Sequence, residues 1–123
     1  MAPVIQFESS SKYSFYTPDD GGMGTGFKSM IIFDLSVLKL TPLPAIIHGS
    51  LMFNHIGYEP LEKIMELYLQ SGKQIFIAYD KQDAPTKRIQ KVLDDTTVIH
   101  LSEGGNEPFG YSWTRKTNNE TGQ

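Results

Sequence analysis

The chain has 123 residues, 39% of them hydrophobic and 20% charged, with a net charge of −3. That is the size and composition of one globular domain, and it excludes an extended disordered chain. There is no cysteine, so disulfide scaffolds and thiolate metal or nucleophile sites are excluded. The acidic balance argues against a domain that holds nucleic acid by bulk charge. The longest apolar run, Met30 to Phe33, is too short to cross a bilayer, and Met-Ala-Pro-Val does not open a signal peptide, so a cytoplasmic, membrane-free protein is expected.

Residues 4–18 alternate in two strand-like runs separated by Ser9-Ser10-Ser11-Lys12, which predicts an antiparallel hairpin. Pro18 to Gly26 reads as a glycine-rich loop. Phe27 to Leu40 is apolar almost all round, and its length favours a buried helix over a strand. Pro42 and Pro44 end it. Ala45 to His48 is a short apolar strand, and Leu51 to Tyr58 reads as loop. Pro60 opens a helix whose stripe is Leu61, Ile64, Met65, Tyr68 and Leu69, and Gly72 stops it. Gln74 to Tyr79 is a second buried strand. Asp83 is a cap for a helix from Ala84 to Asp94 with Ile89, Val92 and Leu93 inward. Thr97 to Leu101 is a third strand.

The expected architecture is therefore α/β. An N-terminal β-hairpin is followed by a buried helix and a small, mainly parallel three-stranded sheet with helical crossovers. Residues 1–113 form one domain, and residues 114–123, almost without apolar side chains, form a tail.

Gly21 to Ser29 is the segment richest in chemistry. Glycines let the backbone approach an anion, and the following helix offers free N–H groups and its positive dipole end. Phe27 intrudes between Gly26 and Lys28, so the pattern of a phosphate-binding P-loop is not met. The plain alternative is a hairpin-to-helix connection. Ser50, Asp80 and Ser102 each follow a predicted strand, and groups at the carboxyl ends of parallel strands gather on one rim. His48 is either a residue lining that site or a strand-end histidine satisfied by backbone groups. His55 and His100 show no metal-ligand spacing with it. Asp34 lies inside the apolar helix and needs a partner, with Lys73, Lys81 or a backbone group as candidates. Asp19-Asp20 reads as a solvated turn. Lys81, Lys87, Arg88 and Lys91 form a basic cluster, read as a solvated helix face or a candidate DNA-facing patch. Trp113 packs back on its own domain or docks on a neighbour.

Gly24-Thr25-Gly26-Phe27-Lys28-Ser29 leading into a long helix resembles the signature segment of ABC-type ATPases. The order that follows, with a strand at the Walker B place, a helix at the D-loop place and a strand at the switch-histidine place, resembles the C-terminal lobe of such heads over residues 21 to 101. More narrowly, Gly-Thr-Gly-Phe-Lys-Ser-Met-Ile-Ile-Phe-Asp-Leu, Ile-Ile-His-Gly-Ser-Leu-Met-Phe, Lys-Gln-Ile-Phe-Ile-Ala-Tyr-Asp-Lys and the final Leu-Ser-Glu-Gly-Gly-Asn-Glu-Pro-Phe-Gly-Tyr-Ser-Trp resemble the C-terminal domain of unknown function of bacterial SMC-like coiled-coil ATPases. The resemblance implies ATP with Mg²⁺ held in trans by a Walker A-bearing lobe. Gly24, Thr25, Gly26, Lys28, Ser29 and His48 would line the nucleotide, Ser50 and Asp80 would stand at the catalytic strand ends, and DNA would be an indirect partner.

The chain departs from that pattern. Gly49 stands where the Walker B carboxylate belongs, Ser50 where the catalytic Glu belongs, and Tyr79-Asp80 at the switch-histidine place. It holds no Walker A loop and no coiled coil, so it is not expected to hydrolyse ATP alone. The alternatives are a free-standing or degenerate α/β binding module without nucleotide chemistry, and a small hydrolase or nuclease using Asp34, Asp80 and His48, whose spacing forms no constellation.

Overall fold

The computed structural model describes residues 2–80, 86–102 and 105–108. The chain divides into two compact units, Met1–Val92 and Leu93–Gln123. The candidate cap Asp83, Lys81 of the basic cluster, Trp113 and the tail lie outside the described residues, as does the domain boundary expected at residue 113.

The first unit opens with the expected hairpin, β1 (Val4–Ser9) and β2 (Lys12–Tyr16). Ile5 faces Phe15 and Phe7 faces Tyr13, with an irregularity between Phe7 and Ser9. This apolar face leans on Phe33 of α1 (Met23–Leu40), with ring centroids 6.0 Å from Tyr13 and 5.0 Å from Phe15.

Helix α1 begins four residues before the expected start, so Gly24, Thr25 and Gly26 lie in its first turns and not in a loop. Asp20 explains the early start. Its carboxylate accepts the Gly22 N–H (3.2 Å) and the Thr25 hydroxyl (2.8 Å), tying the preceding turn to the first turn of the helix. Asp19 makes the turn with φ of 59°, a region Asp tolerates better than most residues. The helix is not buried all round. Ile31 and Leu38 are fully buried, while Met30 and Leu40 are exposed, because the small hairpin and sheet cannot cover every side. At its end Thr41 donates to the Val37 carbonyl, and Lys73 Nζ donates to the carbonyls of Leu38 (2.5 Å), Thr41 (2.7 Å) and Leu43 (3.1 Å).

Strand β3 (Ala45–His48) pairs in parallel with β4 (Gln74–Ile77), Ala45 beside Gln74 and His48 beside Ile77. The crossover carries the short α2 (Leu51–Asn54), in a stretch expected to be loop, and α3 (Tyr58–Gln70). Leu61, Ile64, Met65 and Tyr68 of α3 are buried as the stripe predicts, whereas Leu69 points outward. Gly72 turns the chain with φ of +67°. Phe53 and Ile56 are buried, with the Phe53 ring against Tyr68 of α3 and Tyr79.

Helix α4 (Lys87–Thr96) starts at Thr86, whose hydroxyl accepts the Ile89 N–H and donates to Glu62 of α3, and Ile89 is fully buried. Arg88 pairs with Glu66, so this member of the basic cluster is an internal link. The expected third strand is not formed. Residues 97–101 carry no ladder, Val98 and Ile99 are exposed, and Ser102 makes only an isolated bridge to Asn106. β-branched residues favour extended chain, but a strand also needs a partner edge. The parallel sheet thus has two strands among the described residues, and Ser102 does not follow a ladder strand. Among these residues no helix is long and apolar enough to cross a membrane.

Candidate functional site

Two features of the first unit carry polar chemistry: the start of α1 and the carboxyl end of β3. A cavity of about 190 Å³ lies at the helix start, lined by Tyr16, Thr17, Asp20, Gly22, Gly26 and Ser29 among others. Asp20 is one of its exposed lining residues. The Thr25 hydroxyl, then the Gly22 N–H, hold its carboxyl below the usual range, with a smaller contribution from the charge of Lys28. An anion is therefore already present where the dipole and free N–H groups of the helix would attract one.

The signature-like residues have different surroundings. Gly26 is open: a Cβ there would meet nothing within 4 Å. Gly24 is closed, because a Cβ would stand 2.3 Å from the His55 carbonyl oxygen. That glycine is explained by the close approach of the His55 main chain, reinforced by Phe27 stacking on the His55 ring at 5.5 Å. Thr25 is tied to Asp20, and Lys28 is half-buried. Ser29 is buried and hydrogen-bonds Thr17 at 3.1 Å, so its hydroxyl is turned inward.

At the strand end, His48 is only 3% exposed. Its Nδ1 lies 2.6 Å from the Tyr68 hydroxyl and its Nε2 3.1 Å from Asp34 Oδ2. Side chains satisfy it, not backbone groups, and Asp34 finds its partner here and not in Lys73. Burial first, and the charge of Asp34 second, push the Tyr68 hydroxyl well above its ordinary pKa, so it stays a donor. A carboxylate only accepts, so Nε2–H donates to Asp34, while Nδ1 and the Tyr68 hydroxyl share the second bond. Beyond His48, Gly49 is exposed with room for a side chain, and Ser50 caps α2 without a side-chain bond. Asp80 is exposed past the end of β4. The neighbouring Tyr79 packs on Phe53, and its buried hydroxyl has no hydrogen-bond partner among the described residues. Burial, then the charge of Asp80, raises its pKa.

Residues 2–111 match a family described as an uncharacterised protein conserved in bacteria, DUF2326. The chain belongs to this family. No curated protein and no solved structure matches it.

In this DUF2326 chain, Asp34 and His48 come together, but Asp80 makes no contact with them that would form a hydrolytic set. Both ring nitrogens of His48 are engaged and the ring is buried, so no free nitrogen is presented to a substrate. Among the described residues no group of three or more His, Cys, Asp or Glu could hold a metal ion. Sequence reasoning missed two participants. Tyr68 was legible only as part of an apolar stripe, although a buried tyrosine hydroxyl requires a partner. Asp20 was legible only as a turn residue.

Proposed function

We propose that this chain is the C-terminal lobe of an SMC-like ABC-type ATPase head, offering the start of α1 to ATP bound by a Walker A-bearing partner lobe. The observation that carries the reading is the one-sided burial of the two-stranded parallel sheet among the described residues. Parallel sheets are normally covered on both faces. Here β3 and β4 bury Ile46, His48, Ile75 and Ile77 on one side only, at least in part, while Ile47 is 78% and Phe76 54% exposed on the other. A lobe completed by another lobe has such a face. The sequence resemblance over residues 21 to 101 supplies the finer assignment.

In this reading Gly26, Thr25, Lys28 and the first N–H groups of α1 face the terminal phosphate. Asp20 is exposed and has to swing aside for it. Ser50 and Asp80 border the strand ends but supply no general base at the catalytic Glu place. Mg²⁺ does not fit this chain's own donors, since Gly49 brings no carboxylate, and the partner lobe holds it. Hydrolysis by this chain alone is not expected, and DNA enters only through the assembled head. Gly49 also favours a second reading, a free-standing α/β binding module without nucleotide chemistry.

The test is a tagged pull-down from the bacterial source cells, with and without ATP and Mg²⁺, identifying partners by mass. The expected partner carries a Walker A loop and a coiled coil, is retained with ATP and Mg²⁺, and is lost on Gly26→Trp, whose side chain has open space to occupy. Recovery of the chain alone under both conditions overturns the reading in favour of the free-standing module.

A further inference from the structure

Asp34, His48 and Tyr68 come from three elements, α1, β3 and α3, and meet in one hydrogen-bonded chain. The segment that leaves His48 runs through Gly49, Ser50 and α2 to His55. There it touches α1 a second time, with the His55 carbonyl over Gly24 and the His55 ring on Phe27. Asp34 and Gly24 are ten residues apart on one helix, about 15 Å along its axis. The segment from His48 to His55 is therefore pinned at both ends along α1, once near the helix start and once past its middle. One pin is a polar bond, and the other is a close backbone approach.

We propose that Asp34, His48 and Tyr68 are positioning residues that hold the Gly49–Asn54 turn against α1, making the strand end and the glycine-rich helix start one rigid edge. The orientation of His48 follows from its two bonds. The Asp34 carboxylate only accepts, so Nε2–H is held toward it, and Nδ1 faces the Tyr68 hydroxyl. Removing the Tyr68 hydroxyl frees the ring to change tautomer, and the polar pin loosens while the apolar core around it stays filled. The consequence for nucleotide binding rests on the composite-head reading, whereas the pinning does not.

Amide hydrogen exchange on the full chain tests this, with imidazole nitrogen NMR of His48 as the second readout. The wild type is expected to show the Nε2–H tautomer. Tyr68→Phe and Asp34→Leu are expected to speed exchange at residues 49–54 by about tenfold or more. Asp34→Asn, which keeps an acceptor oxygen for Nε2–H, is expected to remain near the wild type. The amides of Leu61, Ile64 and Met65 are expected to be unaffected in all three variants. Unchanged exchange at 49–54 overturns the proposal. So does equal acceleration at 49–54 and at the three α3 amides, which would mark a general loss of core stability. A failed pull-down with intact local exchange rejects the ATPase lobe alone. Retained ATP-dependent association with unchanged exchange rejects the positioning role alone.

Discussion

Gly24 packs so tightly beneath His55 that a Cβ at position 24 would stand 2.3 Å from the His55 carbonyl oxygen, whereas two residues on, Gly26 faces open space. The two glycines of one motif therefore have different physical reasons. Gly24→Ala forces either the His55 main chain or α1 to move, an overpacking cost of about 1–3 kcal/mol. Gly26→Ala places a better helix former at an unobstructed helical site and is expected to stabilise by about 0.5–1 kcal/mol. Urea unfolding of both variants checks the contrast. Equal effects of the same sign would show that His55 yields freely and that Gly24 is not held by packing.

Lys73 closes the other end of the same helix. Its ammonium is shared by the carbonyls of Leu38 in the last turn, Thr41 at the cap and Leu43 in the loop beyond. Lys73→Met keeps the aliphatic stem but removes the donors and the charge that complements the helix dipole. The expected loss is about 1.5–3 kcal/mol, the range for hydrogen bonds involving a charged group. A midpoint of denaturation within error of the wild type would show that water replaces the ammonium without cost.

Periodicity made most of the fold legible, because a hairpin and amphipathic helices write their burial directly into residue spacing. The stripe Leu61, Ile64, Met65 and Tyr68 and the strand Ala45–His48 fall where spacing puts them. Where spacing misled, a tertiary partner decided the outcome. Val98 and Ile99 look like a strand but lie exposed without one, and α1 starts at Met23, where Asp20 ties down Thr25 and the His55 main chain packs on Gly24. The Asp34–His48–Tyr68 chain was illegible for the same reason. It joins residues 14 and 20 positions apart, and no local pattern encodes such a meeting.

Tyr68 gives the fold an alkaline limit. Its folded-state pKa is raised above the unfolded value of 10.0, by burial and by Asp34. Above pH 10 the unfolded chain releases this proton while the native chain keeps it, so stability is fully present below pH 10 and falls as pH rises beyond it. Tyr79 is shifted in the same direction and adds to the decline. Thermal melts between pH 8 and 11 are expected to show a falling midpoint above pH 10 that is shallower in Tyr68→Phe. An equally steep fall in the variant would assign the alkaline limit to other groups.

Gly49 is the most informative single position for function. It lies directly after the pinned His48, it is exposed, and a Cβ there meets nothing within 4 Å. Gly49→Asp therefore adds a carboxylate at the strand end without steric cost. If the strand end occupies the Walker B place, that carboxylate completes a magnesium-binding position opposite the nucleotide. The complex captured with the tagged variant should then retain ATP more strongly when Mg²⁺ is present, with a difference of about tenfold or more between Mg²⁺ and chelator, a coupling of about 1.4 kcal/mol. The wild-type complex should show a smaller dependence, set by the partner's own ligands. Mg²⁺ dependence that is identical in variant and wild type would remove the strand end from the nucleotide site.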